Sequence, residues 1–495
     1  MNDVTPFAVA LLIAALVGLA AVLSNRLGEW FPVPAPALFL VGAAAASDIW
    51  PALGKIPITL VEQIVTVALL VILFDGGMQI GWRRFRANAG GITWIGVAGT
   101  LVTAAAVALA AHSLFGLDWR IALLLGTALS PTDPAVVFSV LGRRQIGGRG
   151  GIIVQGESGA NDPVGIALLV VLLSAGRMDM HSIGSILGEF AVQIVVGAVA
   201  GLVGGLALLW FMRRVPLPAA GLYSLRVLMC VVALYGVTTL AHGSGFLAVL
   251  VAGVVIGGQR APYRGDIERF HSALASLGEI VAFVMLGFTI QVTGDHGVLD
   301  GGAWWIGLLL AVLLTLVIRP LLVGALIWRM RLARGERLFV LWTGLKGAVP
   351  ILLGTYILRA GVPDAQRAYE IIFVVVAFSV IVQGSVVPVL ARRLGVPLRT
   401  VNPRPWTMNA RFEEEPDSLH RFTVAAGSVA DGSTVAELPS DDLWVSVIIR
   451  RGRLVTVTPE TLLHSGDEVL ILAEPDSRAI LSELFTSDTL GPQQL

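Results

Sequence analysis

The sequence predicts an all-α polytopic membrane protein that carries a small α/β domain at its C-terminal end. Of 495 residues, 56% are hydrophobic and 14% are charged, whereas charged residues make up about a quarter of an average soluble domain. Residues 1–410 carry 28 bases and 19 acids, and residues 411–495 carry 6 bases and 15 acids. This change in charge predicts a membrane domain at 1–400, a linker at 401–410 and a soluble domain at 411–490.

Thirteen apolar segments are long enough to be membrane helices. A spanning helix needs about 20 apolar residues, and fewer where a broken helix is buried in protein. The segments are 6–24, 35–48, 57–76, 92–112, 119–141, 152–174, 184–211, 225–242, 244–258, 275–291, 303–328, 338–359 and 370–391. The N-terminus has an acid and no base before its apolar stretch, so we expect a retained first helix and not a cleaved signal peptide. The single cysteine excludes disulfide frameworks, thiolate zinc clusters and CxxC redox chemistry.

Basic residues are distributed unevenly among the predicted loops. Loops after odd-numbered helices hold twenty of them, and loops after even-numbered helices hold five. The five are Lys55, Arg120, Arg177, Arg359 and Arg367. Because cytoplasmic loops carry the excess of Lys and Arg, this pattern predicts an outer N-terminus and a cytoplasmic C-terminal domain.

Several ionisable residues lie inside the apolar segments. We expect interfacial or interhelical hydrogen bonding for Glu62, Glu189 and Glu279, whereas six others are candidates for function. Each such group costs roughly 2.5 to 3.5 kcal/mol in hydrocarbon, so it must face a partner or water. At about 1.5 Å per helical residue, five of the six lie about 12 to 15 Å from the cytoplasmic side, near the middle of a ~30 Å core. The six are Asp75, Asp133, Glu157, Asp162, Arg319 and Lys346. A common depth favours one functional site over separate structural ion pairs, which stay the alternative.

Proline and glycine interrupt two helices at this depth. Helix 5 contains SPTDP at 130–134, and helix 12 contains TGLKGAVP at 343–350. Proline removes an amide donor and disfavours helix just before it. The two segments run in opposite directions seven helices apart, as expected of two inverted halves of six helices. Such paired breaks indicate the midplane site of a transporter, and Asp133 and Lys346 can counter the partial charges of the helix ends. A tolerated kink is the alternative for either segment alone.

Helix 6 begins with the polar run GESGANDPV at 156–164. Ser158 and Asp162 share one helix face, and Glu157 and Asn161 form the adjacent stripe. Carboxylate, hydroxyl and amide oxygens suit a partly dehydrated alkali cation, and no softer ligand for a transition metal is present. Burial disfavours the charged form of a lone carboxylate, so a proton can compete with the cation near neutral pH. One residue can then exchange either ion for the other.

These motifs resemble the NhaP-type monovalent cation/proton antiporters, in the electroneutral branch that has an Asn-Asp pair. The resemblance covers nearly all of residues 1–400. Its motifs are LFDGG at 73–77, SPTDPAVVFSVL at 130–141, GESGANDPVGIAL at 156–168, HGSGFLAVLVAG at 242–253, Arg319-Pro320 and GLKGAVPI at 344–351. The Asn-Asp pair within ESGxNDP is the specific element among them.

The resemblance implies a role for each residue around the Asn-Asp pair. Asp162 is similar to the carboxylate that cation and proton share. Asn161 is similar to its neutral partner, where electrogenic relatives have a second aspartate. Thr132 and Ser158 would join Asp162 as oxygen ligands of the alkali cation, and Asp133 would steady the crossing of helices 5 and 12.

Four further residues are placed by the same resemblance. Glu157 and Arg319 are similar to a structural ion pair of the family, and Asp75 is similar to an acid that lines the cytoplasmic funnel. Family members usually have arginine in place of Lys346 and often glutamate in place of Asp75. An ammonium is a compact point charge that loses its proton more easily than a guanidinium. A charge-balancing role for Lys346 therefore transfers less directly than the other roles.

Two other functions also fit parts of the sequence. GESG at 156–159 and AHGSG at 241–245 match patterns of rhomboid intramembrane serine proteases. However, Ser158 should lie about 9 Å from the inner side and His242 about 24 Å from it, whereas a nucleophile and its base lie within about 3 Å of each other. A cation channel is the nearer alternative, because cation sites also line pores. Flux through a channel would not be coupled to proton movement.

The C-terminal domain has the pattern of a small α/β module. Strands are predicted at 422–424, 444–449 and 468–472, with a helical turn after Ser433 and a helix after Pro475. The runs SxVAEL, VIIRRGR and HSGDEVLILA resemble the RCK-C (TrkA-C) domain of potassium transporters and channels. The resemblance implies a cytoplasmic regulator, often dimeric, whose ligand is a nucleotide, although no glycine-rich phosphate loop identifies one. An inert stabilising domain is the alternative.

The sequence thus predicts a secondary antiporter and not an enzyme, with no catalytic residue and no cofactor. We expect a homodimer in a bacterial-type inner membrane that exchanges K⁺, or less favourably Na⁺, for H⁺ by alternating access and serves pH homeostasis. One carboxylate that holds either one proton or one monovalent cation predicts electroneutral exchange. Ligand types without cavity dimensions leave the choice between K⁺ and Na⁺ open.

Overall fold

Two compact units make up the chain in the computed structural model, one up to residue 402 and one from residue 403. The structure describes residues 19, 34–50, 53–141, 144–146, 148–175, 182–259, 261–293, 302–328, 330, 332–400, 419–438, 443–473 and 478–486. Apart from residue 19, the predicted first helix at 6–24 lies outside the described residues. The predicted linker at 401–410 lies outside them as well.

Helices dominate the first unit. They are α1 (Ala35–Ile49), α2 (Ile58–Ile80), α3 (Trp82–Thr93), α4 (Thr100–Phe115), α5 (Trp119–Ala128), α6 (Pro134–Leu141), α7 (Gly148–Ser174), α8 (Ser182–Arg214), α9 (Ala220–Leu240), α10 (Gly245–Gly257), α11 (Arg264–Phe288), α12 (Ala303–Leu313), α13 (Arg319–Ile327), α14 (Arg334–Trp342), α15 (Ala348–Arg359), α16 (Ala365–Phe378) and α17 (Gly384–Arg393). Three π-helical segments, Trp94–Gly99, Leu314–Ile318 and Ser379–Gln383, join α3 to α4, α12 to α13 and α16 to α17.

Twelve of the thirteen predicted segments coincide with these helices. The described part of the chain contains eight helices that are long and apolar enough to cross a membrane, and four shorter apolar ones. The first unit is therefore a polytopic all-α membrane fold. One boundary was wrong, because α11 begins at Arg264 and not near residue 275. Its first turns are charged, with Arg264 paired to Glu268 and Arg269 to Asp266, so hydropathy alone misses them.

Both predicted helix breaks are confirmed. α5 ends at Ala128 and α6 begins at Pro134, whereas α14 ends at Trp342 and α15 begins at Ala348. Backbone without helical hydrogen bonds is tolerated at membrane depth only where protein surrounds it. The residues of both breaks are indeed mostly buried.

Apart from α3, which contacts both, the described helices of this unit pack as two groups. We call α1, α2, α8, α9, α10 and α11 the flanking group, and α4 to α7 with α12 to α17 the site group. Small residues let helices of one group approach closely. A side chain at Gly77 on α2 would collide with the carbonyl of Leu250 on α10, and one at Gly126 on α5 with the carbonyl of Ala104 on α4. Close packing within each group makes it a coherent body.

A short two-stranded sheet joins distant parts of the first unit. β1 (Arg144–Ile146) connects α6 to α7, and β2 (Leu398–Thr400) follows α17. The strands are antiparallel, with Gln145 opposite Arg399. The last described segment of this unit is therefore hydrogen-bonded to the connection between two helices of the site group.

The second unit is a small α/β fold. Its four-stranded antiparallel sheet has the order β3, β6, β4, β5, and α18 (Arg478–Phe485) follows β6. The strands are β3 (Leu419–Thr423), β4 (Trp444–Arg450), β5 (Arg453–Val455) and β6 (Glu468–Leu472). Ile448, Val469 and Phe485 are buried in its core. The three predicted strands and the two helical segments are confirmed, and β5 was not predicted.

An ion pair joins buried Asp467 to partly exposed Arg450 in the second unit. Arg450 Nη2 donates to Asp467 Oδ2 at 2.8 Å, and the backbone N–H of His464 donates to the same oxygen at 2.9 Å. Burial raises the pKa of the Asp467 carboxyl, but these hydrogen bonds outweigh it and hold the pKa below its usual value. The pair therefore stabilises the unit at neutral pH, and this contribution is lost as the pH falls through the lowered pKa.

Candidate ion-binding site

The two broken helices cross at the centre of the site group. The backbone N–H of Asp133 donates to the carbonyl of Leu345 at 2.7 Å, which holds the two unwound segments together. A side chain at Gly347 would collide with the carboxylate of Asp133, and one at Gly344 with the guanidinium of Arg319. Glycine at these positions lets charged groups lie directly on the backbone of the crossing.

Asp133 lies at the N-terminal ends of α6 and α15. Its Oδ1 accepts a hydrogen bond from the backbone N–H of Ala135 at 2.8 Å. The backbone N–H groups of Val136 and Ala348 also hydrogen-bond to this carboxylate. Free N–H groups at a helix N-terminus carry about half a positive charge. Asp133 therefore neutralises two half-helix ends at once.

Lys346 lies at the C-terminal end of α5. Its Nζ donates to the carbonyl of Ser130 at 3.1 Å and to the carbonyl of Pro131 at 2.9 Å. The side chain is buried. These carbonyls have lost helical partners because of the break, and a cation near a helix C-terminus is favourable.

Arg319 and Glu157 form a buried bidentate ion pair. Arg319 Nη1 lies 2.8 Å from Glu157 Oε1, and Nη2 lies 3.1 Å from Oε2. Arg319 also donates to the carbonyls of Leu341 at 2.9 Å and Val340 at 3.1 Å, at the C-terminal end of α14. The same guanidinium thus joins α7 to α13 and caps the second broken helix.

The side chains around Asp162 form a polar cluster between α7 and the first break. Asn161 Nδ2 donates to Thr132 Oγ1 at 2.7 Å, and the backbone N–H of Thr132 donates to Asn161 Oδ1 at 3.3 Å. Ser158 Oγ donates to the carbonyl of Thr132. Oδ1 of the buried Asp162 has no hydrogen-bond partner among the described residues. The predicted ligand residues are therefore together, and one carboxylate oxygen is left over.

Two site residues were missed from the sequence. Ser379 Oγ accepts the backbone N–H of Lys346 at 2.9 Å and donates to Gln383 Oε1 at 2.9 Å. Gln383 Nε2 in turn donates to the carbonyl of Trp342 at the end of α14. Both residues lie on the π-helical segment after α16 and are buried. A serine and a glutamine four residues apart in an apolar helix was the signal that could have found them.

Two further carboxylates lie outside the cluster. Asp75 Oδ2 accepts from Gln79 Nε2 at 2.6 Å, and Gln155 Nε2 donates to Gln79 Oε1 at 3.0 Å. Asp75 is thereby linked to α7 by a chain of side chains and not by direct contact with the cluster. Glu279 on α11 has one buried oxygen without a partner among the described residues. Interhelical hydrogen bonding, which we expected for Glu279, does not account for that oxygen.

The arrangement can hold a small cation and release it without rearranging its other charges. Asp133, Glu157, Arg319 and Lys346 are each bound to backbone groups or to one another. Asp162 keeps a free oxygen beside hydroxyl and amide groups, which are the hard ligands that alkali cations prefer. A proton can take the same place, because a buried carboxylate is stabilised by either positive ion.

Comparisons with known proteins identify the family of the chain. The family model described as "Sodium/hydrogen exchanger, transmembrane" matches residues 11–393, and the TrkA-C domain model matches residues 419–486. The K⁺/H⁺ antiporter NhaP of Alkalimonas amylolytica is 32% identical over 437 residues, which cover 86% of this chain and 75% of that protein. The K⁺/H⁺ antiporter NhaP2 of Shewanella sp. strain MR-4 is 30% identical over 490 residues, which cover 97% of this chain and 83% of that protein.

A solved structure shares the fold. The sodium proton antiporter MjNhaP1 from Methanocaldococcus jannaschii matches with a TM-score of 0.65 and 21% sequence identity, over 78% of this chain and 99% of that one. The protease alternative is set aside, since the matched family consists of transporters. The family model covers well over half of the chain, so the protein belongs to the sodium/hydrogen exchanger family of membrane transporters, with a TrkA-C domain at its C-terminal end.

Proposed function

We propose that the protein exchanges one monovalent alkali cation for one proton at Asp162 by alternating access. The observation that carries this proposal is the free oxygen of Asp162 in a cluster whose other charges are bound. Asp162, Ser158 and Thr132 would hold the cation, and Asn161 would orient Thr132 through their mutual hydrogen bonds. No cofactor takes part in this scheme.

We propose K⁺ as the preferred cation. Two similar proteins bear the name K⁺/H⁺ antiporter, and the TrkA-C match covers residues 419–486. A more distant relative, ApNhaP of Aphanothece halophytica, is named a Na⁺/H⁺ antiporter and is 25% identical over 354 residues. Dequenching of a pH-sensitive dye in everted vesicles, after separate additions of KCl and NaCl, tests the choice. A response to NaCl alone would refute K⁺ preference, and cation flux without dequenching would favour a channel.

One carboxylate that alternates between one proton and one monovalent cation moves no net charge in a cycle. We therefore propose electroneutral exchange, in which a potential imposed on proteoliposomes leaves the rate unchanged. Strong acceleration by the potential would require a second titrating group. Glu279, with its unpartnered oxygen, would then be the first residue to neutralise.

The orientation and assembly complete the proposal. The arginine-rich loops lie on the cytoplasmic side of a bacterial-type inner membrane, with the N-terminus outside. The transporter works as a homodimer and contributes to pH homeostasis. Asp75 lines the cytoplasmic funnel, and its link to α7 through Gln79 and Gln155 supports that place.

The second unit is proposed to regulate transport through β2. β2 is the last described segment before residue 403 and pairs with β1, which connects α6 to α7. A force or displacement at β2 therefore reaches both the broken helix and the helix of Asp162. The regulatory ligand proposed for the TrkA-C domain is a cytoplasmic nucleotide.

Truncation after Arg404 tests this regulation, since it keeps β2 and removes the second unit. Exchange should persist, and the pH or cation concentration of half-maximal rate should shift, or a response to added nucleotide should disappear. Superimposable profiles of full-length and truncated protein, at equal amounts in the membrane, would instead favour the inert-domain alternative.

A further inference from the structure

The flanking group and the site group are joined by polar contacts on the side opposite the arginine-rich loops. α2 begins on this side and runs toward the middle of the unit, whereas α15 begins at the crossing and ends on this side at Arg359. The two helices are in contact and antiparallel. α15 is twelve residues long, so its two ends are about 18 Å apart.

A buried acid meets an exposed base where these helices end. Arg359 Nη1 lies 2.7 Å from Glu62 Oε2, and the two side chains are 57% and 3% exposed. Arg359 also stacks over the ring of Tyr356, 5.6 Å from its centroid. A carboxylate buried to this extent needs a compensating charge. Arg359 provides it from the other helix group as a charge contact, since neither Glu62 oxygen has a hydrogen-bond partner among the described residues. The pair therefore holds the two groups together at this rim.

Two neighbouring polar contacts also join the flanking group to the site group. The hydroxyl of Thr66 lies 3.4 Å from the hydroxyl of Tyr356. Thr66 is one helical turn from Glu62 on α2, and Tyr356 is nearly one turn from Arg359 on α15. Thr289, directly after α11, is hydrogen-bonded to the buried Tyr369 on α16. On the opposite side, half-buried Gln155 donates to exposed Gln79. Three polar contacts thus join the two helix groups on the side of Arg359.

We propose that Glu62 and Arg359 form an outer gate that must open before Asp162 can exchange ions with the outside. This inference rests on the proposed alternating access and on the orientation given above. The pair fixes the outer end of α15, whose other end binds Asp133, so parting the pair lets the crossing move relative to α2. Closing it keeps the outer path shut while the site faces the cytoplasm. Glu62 and Arg359 position the site and do not bind the transported ion.

A reversible crosslink tests the gate. Glu62→Cys with Arg359→Cys, in a Cys230→Ser background, is treated with a short bis-methanethiosulfonate reagent in proteoliposomes. Exchange should fall to background after crosslinking and return after reduction of the same sample. This comparison within one sample separates the gate from any folding defect of the variant.

The control is a crosslink within one group. Asp48 at the end of α1 accepts hydrogen bonds from the backbone N–H and hydroxyl of Thr293, after α11, at 3.0 Å each. Crosslinked Asp48→Cys with Thr293→Cys should keep its exchange, because both residues belong to the flanking group. Full exchange by the crosslinked Glu62–Arg359 pair would overturn the gate. Absence of exchange in the reduced sample and in the Cys230→Ser parent would refute the proposed function instead.

Accessibility gives a second readout that a purely structural ion pair would not change. A cysteine in place of Thr66 lies just inside the gate and is labelled from outside with a charged, impermeant methanethiosulfonate reagent. Adding Glu62→Gln should raise the labelling rate several-fold. The matched change Glu268→Gln removes an acid from the exposed ion pair with Arg264 on α11 and should leave the rate unchanged. Equal labelling with Glu62 and with Gln at this position would overturn the gate.

Discussion

At each of the two helix breaks of the site group, a buried basic side chain binds carbonyls at a helix C-terminus, but the two basic residues differ in their other contacts. Lys346 donates to carbonyls at the end of α5, and Arg319 donates to carbonyls at the end of α14. Arg319 is also locked to Glu157 by two hydrogen bonds, whereas no carboxylate is within ion-pair distance of Lys346 among the described residues. We therefore propose that Arg319 has a structural role and that the charge of Lys346 balances that of Asp162.

On this proposal, Arg319 contributes to stability and Lys346 contributes to transport. Asp133 neutralises the partial positive charge of the N-terminal helix ends, and Lys346 and Arg319 neutralise the partial negative charge of the C-terminal ends. The ends of the broken helices are therefore neutralised before any ion binds. Asp162 is the carboxylate of the cluster with an unbonded oxygen. Variants can test this assignment by separating loss of folding from loss of exchange.

The largest effect is expected at Asp162. Asp162→Asn keeps the volume and removes the charge, so it can no longer alternate between proton and cation. Cation-induced proton movement should fall to the level of empty proteoliposomes, and the melting temperature should not fall, since the native Oδ1 has no partner to lose. Dye-based exchange and thermal unfolding in detergent measure the two properties. Substantial exchange by well-folded Asp162→Asn would move the shared site elsewhere.

Removal of Arg319 should unfold more than it inactivates. Arg319→Ala or Glu157→Gln leaves the other group buried without its partner, which costs about 3 to 5 kcal/mol. Arg319→Ala additionally uncaps Val340 and Leu341, so it should lower the melting temperature and the expression level more.

The reciprocal exchange, Glu157→Arg with Arg319→Glu, is the control for this pair. It should recover part of the lost stability, although not the caps of α14. If either single variant melted like the wild type but bound the cation with altered apparent affinity, Glu157 and Arg319 would belong to the transport site.

The sequence predicted which residues carry the site because an apolar background makes each buried charge conspicuous. Proline and glycine around Asp133 and Lys346 likewise marked the two breaks, since these residues disfavour helix independently of their surroundings. The partners of the charges were harder to predict. Lys346 binds carbonyls of residues 215 and 216 positions away, and such pairing depends on the packed fold and not on local pattern.

Two features of the fold were not predicted from the sequence. The π-helical segments at Leu314–Ile318 and Ser379–Gln383 keep the hydropathy of ordinary helix, yet they precede Arg319 and supply Ser379 and Gln383 to the site. Likewise, Glu62 and Arg359 lie far apart in the sequence, and no local pattern identifies Arg359 as the partner of Glu62. Contacts between helices far apart in sequence decide both.

A smaller effect with a different signature is expected at Lys346. Lys346→Gln keeps a donor for the carbonyls of Ser130 and Pro131 but removes the charge beside Asp162. A carboxylate without this neighbouring cation holds its proton more tightly, so the pH of half-maximal exchange should rise while stability changes little. Lys346→Arg, the residue usual in the resembling family, should keep the profile near that of the wild type. If Lys346→Gln lost as much stability as Arg319→Ala and kept the pH of half-maximal exchange unchanged, Lys346 would be a structural residue like Arg319.

The smallest effect is expected at Ser379, whose hydroxyl accepts a hydrogen bond from the backbone N–H of Lys346. Ser379→Ala leaves the backbone N–H of Lys346 without its partner, and a buried unsatisfied donor costs about 1 to 3 kcal/mol. Gln383 Oε1 loses the hydroxyl of Ser379 but keeps that of Thr315 at 3.4 Å. The melting temperature should fall less than in Arg319→Ala, and exchange should slow because Lys346 is less firmly placed. Ser385→Ala is the matched control, since the hydroxyl of half-buried Ser385 donates to the carbonyl of Ile381, one turn earlier, and has no other hydrogen bond among the described contacts. If Ser379→Ala and Ser385→Ala behaved alike in both measurements, the π-helical segment would not position Lys346. The position of Lys346 would then depend on other contacts.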